Sequence, residues 1–165
     1  MKKILSLLSL IITALILYSC ADIDNYDAPA ETLKGTIINK NTNAPLQTET
    51  GDGGIRLKLM EWSWSNNPTP YYFDCKQDGT FNNTKIFKGY YSVIPEGAFV
   101  PLIQLDDKGD TIVNESQTLE IKGTKDLTFN VEPFLNVEWV SEPVISADKT
   151  KITVQVKVTR GTDNL

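Results

Sequence analysis

Residues 61–74, EWSWSNNPTPYYFD, gather Trp62, Trp64, Tyr71, Tyr72 and Phe73 into fourteen positions, with Asn66 and Asn67 between them. Indole and phenol faces can stack on the apolar C–H faces of pyranose rings. Amide side chains such as Asn66 and Asn67, helped by Glu61, can bond neighbouring hydroxyls in pairs. Pro68 and Pro70 stiffen the loop, so less ordering entropy would oppose binding. The candidate ligand-binding residues are therefore Trp62, Trp64, Asn66, Asn67 and Tyr72, and the ligand they suit is a glycan.

Other chemistry is poorly served. There is no histidine, which removes the commonest general base and the commonest transition-metal ligand together. No GxSxG, HExxH, Walker loop or dinucleotide fingerprint occurs. In LDDKGD, Asp106, Asp107 and Asp110 lack the spacing of a twelve-residue calcium loop and read as a solvated turn, as does GDGG at 51–54. A glycosidase would need two carboxylates across a cleft, which a small sandwich rarely provides. The expectation is a protein that is not an enzyme, with no cofactor and no metal.

The elements that must position these residues read as strands and turns. LKGTIIN (33–39), IRLKLM (55–60), YYFDCK (71–76), TFNNTKIF (80–87), GYYSVIPEG (89–97), AFVPLIQL (98–105), TLEI (118–121) and LTFNVEPFLNVEWV (127–140) are separated by Gly, Asp and Asn. No window after residue 20 carries helical periodicity over three turns. Eight or so short strands indicate an all-β fold, an immunoglobulin-like sandwich at 32–132. Beyond Glu132-Pro133 come FLNVEWV, PVIS and KITVQVKVTR. Three strands cannot close a sandwich alone, so 133–165 is either the start of a second, truncated sandwich domain, the favoured reading, or a tail that packs on the first domain or on a partner.

Alternation sharpens the question about the tryptophans. Ile55, Leu57 and Leu59 share a face opposite Arg56 and Lys58, so odd positions point inward. An unbroken register puts Trp62 and Trp64 on the solvent side and turns Glu61 and Ser63 inward. A bulge near Met60-Glu61 would bury the indoles instead. Two exposed indoles forgo up to roughly 10 kcal/mol at about 25 cal/mol/Å². Area burial thus favours the bulge by a narrow margin, and exposure would imply a ligand, partner or membrane. The same alternation groups Tyr71, Phe73 and Cys75 inward and leaves Tyr72 outward, making Cys75 a buried small hydrophobe. Phe81, Phe87, Tyr90, Phe99, Phe129 and Trp139 occupy strand positions and are expected in the core.

The N-terminus carries an address. Lys2 and Lys3 precede an apolar run from Ile4 to Leu17, too short to span a bilayer and suited to a signal peptide over 1–19. Leu17-Tyr18-Ser19-Cys20 resembles a bacterial lipobox. That resemblance implies lipidation at Cys20, an acyl-anchored mature chain, and a flexible tether over 20–31. Loss of Lys2 and Lys3 from 16 basic residues leaves 14 against 21 acidic ones, a net of −7, which disfavours nucleic acid. Asp22, Asp24 and Asp27 partly match the acidic surface-export signal of Bacteroidota lipoproteins. Asp110-Thr111-Ile112 resembles an O-glycosylation motif known in Bacteroidota, with Thr111 as the acceptor.

DNYDAP, IRLKLMEWSWSNNPTPYYF, KQDGTFNNTKIFKGYYSV, PEGAFVP and FLNVEWV together resemble the Bacteroidota lipoprotein family called domain of unknown function 3823. The similarity runs from about Asp24 to Thr159. It implies a transthyretin-like, carboxypeptidase-regulatory-like sandwich followed by a fibronectin-like one. It also implies an outer-membrane protein facing the cell exterior beside SusC/SusD-like uptake pairs, where it would bind glycans. The alternative is a structural sandwich that packs on such a complex, or in a fimbria-like array, without binding sugar.

Overall fold

The computed structural model describes residues 27–51 and 53–163. The expected signal peptide over 1–19, Cys20 as the expected lipidation site, and Asp22, Asp24 and Asp52 lie outside them. Among the described residues every regular element is a strand: β1 (Glu31–Asn39), β2 (Ala44–Pro45), β3 (Arg56–Glu61), β4 (Tyr71–Asp74), β5 (Thr80–Ile86), β6 (Gly89–Glu96), β7 (Ile103–Leu105), β8 (Thr111–Asn114), β9 (Gln117–Ile121), β10 (Thr124–Val131), β11 (Leu135–Ile145) and β12 (Ile152–Arg160).

Period-two alternation builds two facing sheets from these strands. In the first, β1 runs parallel to β10 on one edge and antiparallel to β2 and β5 on the other. The second is antiparallel in the order β4-β3-β6-β9. Leu33 and Ile37 of β1, Phe81 of β5, and Leu127, Phe129 and Val131 of β10 face Leu57 and Leu59 of β3, Val93 of β6 and Ile121 of β9. Each such side chain contributes about 1.5–3 kcal/mol on burial. β7 and β8 form a separate hairpin, and β11 and β12 a two-stranded ribbon.

Several expectations are corrected. No bulge interrupts β3: its pairing with β6 runs unbroken from Arg56↔Glu96 to Glu61↔Tyr91. The bulge lies on β5, where the pairing with β1 shifts between Glu31↔Ile86 and Leu33↔Asn83. That extra residue lets Phe81 and Ile86, of opposite parity, both turn inward. AFVPLIQL is not one strand: Phe99 and Leu102, three apart, are both buried, which no single strand face allows. Residues 103–105 pair with 111–114, a strand unforeseen in the sequence, whereas 98–100 bridge to 132–134. Phe87, Tyr90 and Trp139 are exposed, not core. Phe87 sits in the β5–β6 turn, Tyr90 has outward parity, and none of the described residues covers Trp139. Tyr71 shares the parity of Phe73 and Cys75 yet is 49% exposed. It ends the edge strand β4, where its hydroxyl accepts a bond from Asn83 Nδ2 at 3.0 Å across the rim between the sheets.

The tightest point is Gly35, at the middle of β1, between Phe81 on β5 and Leu127 on β10. A Cβ there would overlap the Leu127 carbonyl oxygen and lie 2.5 Å from Phe81 Cζ. Gly35→Ala is expected to destabilise the sandwich by about 2 kcal/mol or more through overpacking, read as a lowered midpoint in urea unfolding; an unchanged midpoint would contradict this packing.

Candidate functional site

The unbroken β3–β6 ladder decides where the tryptophans stand. Trp62 N–H still donates to the Tyr90 carbonyl at 2.8 Å, one rung past the end of β3. Even-numbered residues therefore stay outward through Met60 to Trp62. The outer face of the second sheet carries Tyr72 on β4, Arg56, Lys58 and Met60 on β3, Tyr90, Ser92 and Glu96 on β6, and Thr118 and Glu120 on β9, in register across the strands.

Trp62 is 40% exposed and held in place. Its indole Nε1–H donates to Ser92 Oγ at 2.9 Å, and Ser92 Oγ bonds Thr118 Oγ1 at 3.0 Å. The ring thus reaches over β6 toward β9 with its donor satisfied by the sheet. Tyr90, 50% exposed, is the neighbour of Glu120 in the pairing. At the opposite edge the Arg56 guanidinium lies 4.3 Å from the Tyr72 ring centroid, a cation–π contact. Glu96 bonds Arg56 from Oε2 at 2.8 Å and meets Lys58 Nζ at 3.6 Å from Oε1. This hydrogen bond holds the Arg56 pKa above its ordinary value.

Trp64 stands 61% exposed on the β3–β4 loop. With Ser63, Lys88, Gly89, Tyr90 and Glu120 it lines an open groove of about 590 Å³ at the end of the sheet. Ser63 Oγ accepts the Tyr90 N–H at 2.7 Å, which fixes this loop to β6. Asn66 and Asn67 are exposed further along the loop, where Asn67 N–H donates to Ser65 Oγ at 3.0 Å. The structure thus aligns Trp62 and Tyr72 on one face, adds Tyr90, Ser92, Thr118 and Glu120, sets Trp64 at the end, and leaves Asn66 and Asn67 on the loop. Tyr90 was missed because its strand position was read as core. Its parity with Ser92 and Glu96, opposite to Tyr91, Val93 and Pro95, was the available signal.

Glu61 takes the inward parity that the register demands. Its Oε1 is buried with no hydrogen-bond partner, alone in this among the buried side-chain atoms of the described residues. Gly89 makes the room: a Cβ there would lie 2.6 Å from Glu61 Oε1 and 2.9 Å from Ser63 Oγ. Burial, then the Glu61 charge, pushes the Tyr91 phenol up to about 12; its hydroxyl donates to the Phe87 carbonyl at 3.0 Å.

The remaining candidates lie elsewhere. Thr111 is exposed at the start of β8. Asp106 Oδ1 accepts the N–H groups of Lys108 and Asp110, both at 2.9 Å, so this carboxylate closes the β7–β8 turn. Cys75 is buried, and burial raises its thiol to about 12, which leaves no thiolate for nucleophilic attack near neutral pH.

A family profile described as the N-terminal domain of proteins of unknown function DUF3823 matches residues 31–132. A solved DUF3823 family protein from Bacteroides uniformis ATCC 8492 is similar at 42% identity, with a TM-score of 0.73, over 82% of this chain and 56% of its own length. One from Parabacteroides merdae ATCC 43184 is 21% identical, TM-score 0.58, over 84% and 62%. Another from Bacteroides uniformis ATCC 8492, named a "putative carbohydrate binding protein", is 19% identical, TM-score 0.57, over 82% and 56%. The last two likenesses speak for the fold alone. This chain spans less than two thirds of the length of each. No curated protein matches it.

Burial of the Cys75 thiol and the Tyr91 phenol makes stability fall at alkaline pH. Folding holds Cys75 and Tyr91 protonated up to about 12, against 9.0 and 10.0 for the free groups. Groups with raised folded pKa values contribute stability that is complete below the free values and is lost as pH rises toward the folded ones. Urea midpoints should hold to about pH 9 and fall toward pH 12, with a shallower fall in Cys75→Ala; equal slopes in the two proteins would contradict a buried thiol.

Proposed function

This chain belongs to the DUF3823 family, and on that footing we propose that it is an accessory glycan-binding lipoprotein of the outer membrane, facing the cell exterior in a polysaccharide uptake system. Cys20 is its acyl anchor, and a SusC/SusD-like pair is its setting. The protein works by contact: it captures chains for a neighbouring importer and transforms nothing. One observation carries this reading, namely that Trp62 and Tyr90 stand on neighbouring strands of one outward sheet face, which also carries Tyr72 further along, opposite Lys58. The name given to the Bacteroides uniformis neighbour supports it at the level of fold.

The face suits an extended, neutral glycan. Trp62 and Tyr90 offer stacking surfaces on adjacent strands, which lie about 4.8 Å apart, near the length of one pyranose, and Tyr72 stands further along the same face. Ser92, Thr118 and Glu120 supply acceptors and hydroxyl donors beside them. Trp62 is pinned through Ser92, so little side-chain entropy opposes stacking on it. The assembly reading, in which the sandwich packs on the uptake complex and binds no sugar, draws on a different surface, the apolar β11–β12 ribbon.

Titration calorimetry against neutral polysaccharides tests the face. The double variant Trp62→Ala/Tyr90→Ala should weaken binding at least tenfold, about 1.4 kcal/mol, with melting unchanged because both rings lie outside the core. Equal binding by the double variant would discard the platform, and co-purification with an uptake pair without sugar affinity would favour assembly. In cells, radiolabelled palmitate should appear on the chain and be lost in Cys20→Ser; label retained in that variant would remove the anchor from this reading.

A further inference from the structure

The end of the sandwich at which the chain enters it has a surface character of its own. Glu31 opens β1, and the first rungs are Glu31↔Ile86 on β5 and Thr32↔Thr124 on β10. Thr32 N–H donates to the Gly123 carbonyl at 3.0 Å, and Gly123 N–H donates to the Glu31 carboxylate. The β5–β6 turn and the β9–β10 turn therefore sit beside the entering chain. The β3–β4 loop joins them, since Trp62 N–H donates to the Tyr90 carbonyl and Tyr90 N–H to Ser63 Oγ just past the β5–β6 turn.

Two rings are open at this end. Phe87 in the β5–β6 turn is 47% exposed, and Trp64 on the β3–β4 loop is 61% exposed. The Phe87 ring has no donor or acceptor to satisfy in water. Its turn serves the fold through the backbone, where the Phe87 carbonyl accepts the Tyr91 hydroxyl at 3.0 Å. On the same turns and the strand ends that flank them stand Lys85, Lys88, Lys122 and Lys125. None of the four makes an ion pair among the described residues. Of the carboxylates here, Glu31 is turned onto Gly123 N–H, Glu61 points inward and Asp126 is paired with Lys34 at 3.2 Å, which leaves Asp27 and Glu120 open.

On the footing of the Cys20 anchor in the functional reading, we propose that this end of the sandwich rests on the membrane, with Phe87 and Trp64 at headgroup depth and Lys88 and Lys122 beside lipid phosphates. The route of the chain selects that occupant. Residues 21–30, ten in all, separate Cys20 from Glu31, a reach of at most roughly 35 Å. From there β1 runs 9 residues, about 30 Å, so the opposite end touches lipid only if the sandwich lies on its side. With the chain already anchored, the second contact is intramolecular, and the modest affinity of two rings suffices. Aromatic rings with lysines among them are what settles at a lipid–water boundary, the rings at headgroup level and the ammonium groups reaching to phosphate. The ribbon leaves from the far end, where Val131 closes β10 opposite Asn39. Trp62 and Tyr90 remain on the sheet face, which stands up from the lipid and stays open to sugar.

The chain has 3 tryptophans, Trp62, Trp64 and Trp139, so single-tryptophan variants test this. The full chain from cell membranes is reconstituted in phosphatidylethanolamine–phosphatidylglycerol vesicles with brominated acyl chains, which quench only indoles in contact with lipid. Trp64 alone, in Trp62→Phe/Trp139→Phe, should be quenched and shifted to the blue. Trp139 alone, in Trp62→Phe/Trp64→Phe, should be neither. Adding Phe87→Asp to the first should cut its quenching at least about threefold, since a charge replaces apolar contact area, with melting unchanged because the ring is outside the core. Flotation of the chain with Trp64 unquenched keeps the anchor and overturns the contact. If Trp64 then shifts on addition of a neutral polysaccharide, that ring belongs to the glycan instead. A chain that fails to float loses the anchor and the contact together. Quenching of Trp139 equal to that of Trp64, or Trp64 quenching unchanged by Phe87→Asp, overturns the contact as well.

Discussion

The strand pairing between β3 and β6 is the constraint on which the site depends. It keeps one register from Arg56↔Glu96 through Glu61↔Tyr91, with a further rung at Trp62. Side chains on a strand alternate strictly, so a single slip would exchange every inward residue for an outward one. The unbroken ladder therefore does two things together. It buries Leu57, Leu59, Val93 and Pro95, and it sends Tyr72, Trp62, Ser92 and Tyr90 to the other side. Core and aromatic face are two readings of one register.

Keeping that register has local costs that the fold meets in specific ways. Glu61 must turn inward, and it does so where the sandwich ends, with Gly89 lacking the side chain that would fill its space. One carboxylate oxygen remains without a partner, a loss of about 1–3 kcal/mol against a satisfied group. Trp62 forgoes burial but keeps its indole N–H bonded to Ser92. An exposed ring locked in one orientation is a poor arrangement for stability alone and a good one for contact, because its ordering cost is met before any ligand arrives. The bulge that could have relieved the strand occurs on β5 instead, where it recruits Ile86 to the core.

Among the described residues two apolar surfaces are exposed, and they differ in kind. The sheet face mixes aromatic rings with hydroxyls and carboxylates, the composition of a surface that meets a polar ligand with apolar ring faces. The ribbon face is mostly aliphatic, with Trp139 midway and Arg160 at its base, and its reverse is polar apart from Val144, close to the composition of half a core. The Asn39 and Asn41 contacts tie the ribbon base to the end of β1 and the turn after it.

Much was legible in the sequence, for a physical reason. Strand type follows from period-two alternation and turn residues, which are local, so the all-β class and the inward set Leu57, Leu59 and Cys75 could be read directly. Parity also states which residues share a face: Ile152, Val154, Val156 and Val158 were identifiable as one row before any fold was known. What parity cannot state is whether a second layer covers that row. Tyr90 and Trp139 occupy strand positions as regular as those of Phe81 and Phe129, yet only the latter pair meets an opposing sheet. Exposure of Trp62 likewise turned on whether β3 bulged, a choice set by its partner β6 and by the space at Gly89. Local chemistry determined the strands and their sides; only packing between residues distant in the chain decided which sides are interior.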